Sequence, residues 1–210
     1  MSGLKNKWWF YFPVILSIVT GCFSPRPIEQ ITARKYQQHK LFEDTSFVYQ
    51  LPYESGTKHR VIQEYFSRFT HKYKAATDFR MKKGTPVLAS RDGIVTRIKD
   101  DSNMGGFNKK YRADANFVII DHGDSTRASY RHLQYKSVLV LPGQLVTKGQ
   151  LIGLSGNTGY TFTPHLHFMV SEYLDGTWTT IPVRFESSKF IGYLQPLHRY
   201  QSANSLQGSR

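Results

Sequence analysis

Hydrophobic and polar residues alternate over short stretches of this chain, and clusters rich in Gly, Pro and Ser separate the stretches. Residues 93–98 alternate in the way that predicts a half-buried strand, whereas a helical period is hardly present anywhere. Short strands divided by turn residues are typical of an all-β domain, and we expect mainly antiparallel pairing. The pattern predicts strands over residues 47–49, 61–62, 86–89, 93–98, 116–121, 127–133, 137–141, 151–154 and 165–170.

One long polar stretch interrupts this pattern. Residues 100–114 contain Gly105-Gly106 and several charges, and they predict a long loop. Loops of this length inside compact domains are usually functional or mobile. Its cations Lys109, Lys110 and Arg112 are candidates for one wall of a substrate groove.

The N-terminus has the pattern of an export signal. Lys5 and Lys7 precede an apolar stretch over residues 8–20, which is too short for an ordinary membrane span. It ends in Val19-Thr20-Gly21-Cys22, which resembles a bacterial lipobox, and Cys22 is the only cysteine. The prediction is a signal peptide over 1–21, lipidation of Cys22, a tether over 22–45, a domain over 46–200 and a disordered tail over 201–210. The alternative is an uncleaved anchor helix with an incidental cysteine.

Charge narrows the partners only in part. The formal net charge is +13, and removal of residues 1–21 takes away only Lys5 and Lys7. Such a balance suits an anionic partner, namely nucleic acid, membrane head groups or a polyanionic wall, although it also simply favours solubility. Export and the lack of any helix-turn-helix, RNP or zinc-finger spacing argue against nucleic acid. The predicted partners are therefore the membrane, through the lipid, and the wall, which together imply a location in the cell envelope. Phe23 and Ser24 after Cys22 favour the outer membrane where the cell has one.

Four of the eight histidines are candidates for chemistry, together with one aspartate. His165 and His167 lie two residues apart in a predicted strand, so both imidazoles point to one face, about 6.5–7 Å apart. With His132 in another predicted strand and Asp78, they would satisfy a catalytic zinc site, which needs three protein ligands and one open position for water. Zinc lowers the pKa of that water to about 7 and polarises a carbonyl. The remaining histidines are expected to be structural or exposed: His39, His59, His122 and His198.

At this point the order of motifs resembles the lysostaphin- or LytM-type zinc endopeptidases, which cleave peptide bonds in peptidoglycan. The resemblance spans about residues 51–172 and implies their duplicated-hybrid-motif fold, with an antiparallel sheet that forms a groove. The matching blocks are Asp78-Phe79 with residues 84–95, Tyr130-x-His132-Leu133, residues 143–159, and Pro164-His165-Leu166-His167-Phe168.

The resemblance also implies roles for these residues. Asp78 and His167 would be zinc ligands, for one Zn²⁺ per chain. His165 and His132 would serve as general base and as orienting or oxyanion-stabilising groups.

Two positions depart from the family pattern. The usual first ligand lies four residues before the aspartate, where this chain has Lys74, and a lysine is an unsuitable ligand at neutral pH. One branch of the family has a longer spacer after Phe-x-His, which matches Phe69-Thr70-His71 here, so His71 is predicted to be the first ligand. The second departure is Phe162-Thr163, where Thr-Gly is common, and it bears on substrate fit.

The resemblance leaves other functions open. Lys74 allows a degenerate, non-catalytic member that binds the wall and activates other wall hydrolases. Residues 146–150 resemble the hammerhead turn of biotinyl and lipoyl carriers, but no lysine is presented in the required hairpin, and export argues against that class. The leading prediction is a lipid-anchored zinc endopeptidase acting on stem-peptide cross-links or bridges.

Overall fold

A computed structural model of the protein describes residues 47–174 and 176–203. The predicted signal segment 1–21, the lipidation site Cys22, the tether 22–45 and residues 204–210 of the predicted tail lie outside these ranges. Within them, no helix is both long and apolar enough to cross a membrane.

The prediction of an all-β fold is confirmed. Across the described ranges the regular structure consists of short strands and one 3₁₀ helix, Lys109–Asp114. The strands are β1 (Val48–Gln50), β2 (Lys58–Gln63), β3 (Ala76–Arg80), β4 (Pro86–Leu88), β5 (Gly93–Lys99), β6 (Gly105–Gly106), β7 (Phe117–Asp121), β8 (Thr126–Arg131), β9 (Leu145–Val146), β10 (Leu151–Leu154), β11 (Gly159–Tyr160), β12 (His165–Leu174), β13 (Thr177–Ile181), β14 (Arg184–Glu186), β15 (Ile191–Gly192) and β16 (Arg199–Gln201).

A nine-stranded sheet organises the domain. Its order is β16-β2-β3-β12-β8-β7-β5-β9, with β13 also paired to β12, and every pairing in it is antiparallel. Three smaller sheets accompany it: β1-β14-β15, β4-β10 and β6-β11. Strand β12 spans ten residues and pairs with β3 on one side and with β8 on the other, so it occupies the middle of the large sheet.

The hydrophobic core lies against one face of this sheet. Phe168 on β12 is fully buried, and its ring centroid is 5.2 Å from that of Tyr130, 5.4 Å from Phe185 and 6.2 Å from Tyr49. Burial of such a side chain contributes about 1.5–3 kcal/mol. Since side chains alternate along a strand, the neighbours of Phe168 on β12 point to the opposite face. That second face is open and forms the floor of a groove.

Two predicted elements differ from the structure near the groove. The predicted strand 127–133 ends at Arg131, and His132 adopts a left-handed backbone conformation with φ of 65°, so it turns out of the sheet. The predicted long loop over residues 100–114 contains two short elements, β6 and the 3₁₀ helix, with Asn108 as N-cap whose side chain accepts from the Lys110 N–H.

Two further predictions were wrong elsewhere. Residues 137–141 form no strand: the buried residues Ser137 and Val140 are three positions apart instead of two, Leu139 and Leu141 are exposed, and Pro142 follows directly. Gln201 belongs to β16, where it pairs with Lys58, and Ser202 is buried. The ordered domain therefore continues past residue 200.

Candidate metal centre

The centre is built on two neighbouring strands and the loop before them. His167 on β12 is the direct partner of Asp78 on β3, so their side chains emerge side by side on the open face. His71, which is buried, reaches the same point from the loop before β3. His167 Nδ1 lies 2.8 Å from Asp78 Oδ1, while His71 Nε2 lies 3.4 Å from Asp78 Oδ2 and 3.2 Å from His167 Nδ1.

These distances and donor atoms fit zinc. Three ligand atoms bound tetrahedrally at about 2.0–2.1 Å would be about 3.3 Å apart. Two of the three separations are close to that value, and all the ligand atoms lie within 4.8 Å of one another. Two imidazole nitrogens and a carboxylate oxygen form a donor set typical of catalytic zinc.

The backbone fixes the tautomer of His71. Its Nδ1 lies 3.1 Å from the carbonyl oxygen of Glu64, which can only accept, so Nδ1 carries the proton and Nε2 presents its lone pair to the centre. A turn closed by the Lys74 N–H and the His71 carbonyl, at 2.9 Å, brings His71 inward. Lys74 itself lines the groove outside the ligand group.

His165 and His132 flank the centre in the same tautomer. His165 Nδ1 donates to the Thr163 carbonyl at 2.7 Å, and His132 Nδ1 donates to the Thr158 carbonyl at 2.6 Å. Nε2 of each neutral ring is therefore unprotonated. His165 Nε2 lies 3.7 Å from Asp78 Oδ1, and the His132 and His165 ring centroids are 4.7 Å apart.

Electrostatics favour the protonation states that a metal needs. Burial lowers the pKa of His132 to about 3 and that of His167 to about 4, the latter against the attraction of Asp78. Burial by itself would raise the pKa of Asp78, but His167 and His165 bring it well below its usual range. At neutral pH Asp78 is a carboxylate and His167 is neutral, as metal ligation requires, and the neighbouring His132 is neutral as well.

The groove around the centre has a volume of about 880 Å³. Of the predicted cationic wall, Lys109 and Arg112 line it, whereas Lys110 does not: its Nζ lies over the Tyr111 ring at 4.9 Å. Arg131 and Lys74 also line the groove, and neither was assigned to substrate from the sequence. The position of Arg131 could have been found, because strand alternation places it on the face of β8 opposite to that of the buried Tyr130.

Four aromatic rings form a rim along the groove. Phe107 stacks on Tyr160 with centroids 5.3 Å apart and on Phe69 at 6.1 Å, and it meets Phe162 edge-on at 5.6 Å. Phe69, Phe107 and Phe162 are 70%, 55% and 75% exposed. Of the four, only Phe162 was related to substrate fit from the sequence; isolated aromatic residues in polar loops were the available signal for the others. We call these four residues the aromatic rim.

The other described histidines stand apart from the centre. His59 and His122 donate from Nδ1 to the carbonyls of Arg80 and Asp92, at 3.1 and 2.7 Å. His198 is exposed and contacts the carbonyl of Pro196. None of the three belongs to the ligand group found among the described residues, and His39 lies outside those residues.

Comparison with known proteins identifies the family. The profile of peptidase family M23 matches residues 72–179. The peptidoglycan DD-endopeptidase ShyA of Vibrio cholerae is 44% identical over 92 residues, which are 44% of this chain and 19% of that protein. Lysostaphin of Staphylococcus simulans is 39% identical over 102 residues, 48% of this chain and 19% of lysostaphin.

One solved structure with a similar chain path is the catalytic domain of the prophage-encoded M23 protein EnpA of Enterococcus faecalis. It has a TM-score of 0.48 and 20% identity, over 62% of this chain and 93% of that one. The chain matches only about a fifth of the length of the two curated relatives. The family profile covers half of the chain, with Asp78, His132, His165 and His167 inside the match, and the chain belongs to peptidase family M23.

Proposed function

We propose that this domain is a zinc-dependent endopeptidase that hydrolyses peptide bonds in bacterial peptidoglycan. The observation that carries the proposal is the convergence of His71, Asp78 and His167 within 4.8 Å on the floor of an open groove. The names of the relatives support the substrate, since ShyA is called a peptidoglycan DD-endopeptidase. The bond cleaved in this proposal is a stem-peptide cross-link or a bridge.

In this proposal His71 Nε2, the Asp78 carboxylate and His167 Nδ1 hold one zinc ion per chain. When bound, zinc supplies Lewis acidity, which lowers the pKa of water to about 7 and polarises the amide carbonyl. The hydrogen bond from His71 Nδ1 to Glu64 orients that ring for its role.

His165 is proposed to move the proton. Its unprotonated Nε2 accepts a proton from the attacking water, and the adjacent Asp78 carboxylate, 3.7 Å away, stabilises the resulting imidazolium. The ring then donates that proton to the leaving amine. His132 has the same tautomer, because its Nδ1–H donates to the Thr158 carbonyl. The neutral ring therefore has no N–H available for an oxyanion. It stabilises an oxyanion only after its Nε2 gains a proton.

We place the protein in the cell envelope, lipid-anchored through Cys22, with the segment 22–45 as tether. The lipobox-like Val19-Thr20-Gly21-Cys22 supports the anchor, and the basic balance of the chain supports docking on an anionic wall. Lys109 and Arg112 on the groove wall are placed to contact substrate.

The degenerate, activating alternative rested on Lys74 at the usual ligand position. The loop before β3 brings His71 to that place instead, and a complete donor set favours catalysis. The relatives with a stated activity are named endopeptidases, which favours the same reading.

Digestion of purified peptidoglycan by the full chain in detergent tests the proposal. Chromatography of the released fragments should show cleaved cross-links, EDTA should stop the release, and added zinc should restore it. Asp78→Ala and His167→Ala should abolish both zinc binding and release, whereas His59→Ala, at a histidine remote from the groove, should retain them. Undiminished release by either ligand variant, or in EDTA, would sink the assignment.

A further inference from the structure

Three arginines share the open face of the large sheet with the metal centre. Arg131 on β8 is the direct partner of His167, so it points to the groove side, and Arg127 is four residues earlier on the same strand and face. Arg97 on β5 is the partner of Ile119 on β7, and Ile119 is the partner of Ser129 on β8. Because Ser129 lies midway between Arg127 and Arg131, Arg97 is level with the midpoint between these two arginines. We call Arg97, Arg127 and Arg131 the arginine site.

None of the three arginines forms an ion pair within the described residues. Among the described residues, no carboxylate lies within the 4.0 Å ion-pair distance of any of the three guanidinium groups. Asp121 attracts Arg127 from beyond that distance, and its Oδ1 accepts from the Gly123 N–H. Burial lowers the pKa of Arg131, and Arg97 and Arg127 lower it further, as expected for like charges held together. A bound anion would relieve this repulsion.

Neighbouring rings hold the guanidinium groups in position. Arg127 stacks over Trp178 at 3.7 Å, and Arg131 and Arg97 lie 5.2 and 5.7 Å from the centroid of the Phe117 ring. With the described residues, Arg131 makes one side-chain hydrogen bond: its Nε–H donates to Ser129 Oγ at 3.1 Å. Planar guanidinium groups positioned in this way are suited to bidentate contact with a carboxylate.

The site is continuous with the groove, because Arg131 lines the groove while Arg127 and Arg97 extend away from it. We propose that the arginine site binds a side carboxylate of the peptidoglycan stem peptide whose cross-link lies over the metal centre. This inference rests on the proposed function and adds a preference: stem peptides with free carboxylates are favoured over stem peptides in which that group is a carboxamide.

The test separates binding from cleavage. Uncross-linked stem peptides, which contain no cross-link to cut, are prepared in two forms that differ only in carboxylate or carboxamide. Calorimetry with the zinc-loaded full chain should give about tenfold tighter binding of the carboxylate form, the factor expected for one charge-assisted contact. The triple variant Arg97→Gln/Arg127→Gln/Arg131→Gln should bind both forms equally. Arg127→Lys should keep more of the difference than Arg127→Gln, and the preference should fall with added salt.

Arg199→Gln is the matched control, since it removes the same charge from the edge strand β16, outside the groove. It should keep the full preference. Equal binding of the two peptides by the wild type overturns the proposal without relying on any variant. A preference that persists in the triple variant also overturns it. Arginine-dependent binding of phosphatidylglycerol vesicles without a peptide preference also overturns it, in favour of a membrane contact.

Peptidoglycan digestion by the same preparations keeps the two proposals distinguishable. Digestion without the carboxylate preference would support the peptidase proposal and contradict the proposal for the arginine site. A carboxylate preference without digestion would support carboxylate binding and contradict the peptidase proposal.

Discussion

His71 and His167 face each other on the floor of the groove, with His71 Nε2 3.2 Å from His167 Nδ1. They come from segments 96 residues apart, and Asp78 contacts both of them. The turn between His71 and Lys74 determines which of these two side chains enters the centre, because it buries the imidazole and leaves the lysine on the groove wall.

Asn116 is predicted to brace the segments that carry His132 and its partner Thr158. It is fully buried, its Nδ2 donates to Ser102 O at 2.7 Å and to the Leu133 and Gln134 carbonyls at 3.4 Å, and its Oδ1 accepts from the Ser102 N–H. Asn116→Ala leaves several of these groups without a partner and should lower the free energy of unfolding by about 3 kcal/mol. Urea unfolding followed by tryptophan fluorescence measures it. Asn103→Ala, at an exposed position, should change stability little, and equal effects of the two variants would contradict the account.

The metal-free chain should lose stability as the pH falls below about 6.5. The folded pKa values of His132 and His167, about 3 and about 4, lie below the ordinary value of 6.5, so the unfolded chain takes up protons first. Their contribution is complete above 6.5 and is lost progressively down to those folded values. For His132 the full loss is on the order of 5 kcal/mol.

Urea midpoints of the EDTA-treated full chain, measured between pH 7.5 and 4.5, test this dependence. His132→Gln, which cannot titrate, should flatten the curve. A wild-type midpoint that stays constant over this range, or a variant with the same slope as the wild type, would show that these rings are not buried in the neutral form.

The aromatic rim should contribute to substrate binding more than to the chemical step. Phe107 contacts the other three rings and is itself 55% exposed along the groove. Phe107→Ala should raise KM for peptidoglycan fragments roughly tenfold, the effect of losing about 1–2 kcal/mol of ring contact, with kcat nearly unchanged. Leu141→Ala, at an exposed apolar residue outside the groove, is the control. A fall in kcat with KM unchanged would assign the rim to the chemistry instead.

Strand alternation predicted the part of the site that lies within one element. His165 and His167 had to share a face once β12 was recognised, and the fully apolar Leu166 and Phe168 made that strand recognisable. Strand β3, by contrast, carries Asp78 but was not predicted. Its sequence Ala-Thr-Asp-Phe-Arg has no alternation, because pairing with β2 and β12 on both sides buries four of its five residues.

Features that depend on a single residue's backbone conformation or on strand register could not be predicted from the sequence. The left-handed backbone of His132, which takes it out of β8, is a local conformation that no residue type there requires. The arginine site depends on the alignment of β5, β7 and β8, including the bulge between Val95 and Arg97. A one-residue shift of β5 would turn Arg97 to the other face.

Zinc per chain in the purified protein tests the central claim most directly, with wild type, His71→Ala and Lys74→Ala measured side by side by mass spectrometry of the metal. Because His71 supplies a ligand atom and Lys74 lies outside the ligand group, wild type and Lys74→Ala should each hold about one zinc, and His71→Ala should lose it. Zinc retained by His71→Ala, or a wild type that binds none when zinc is supplied in excess, would contradict the metal centre described above.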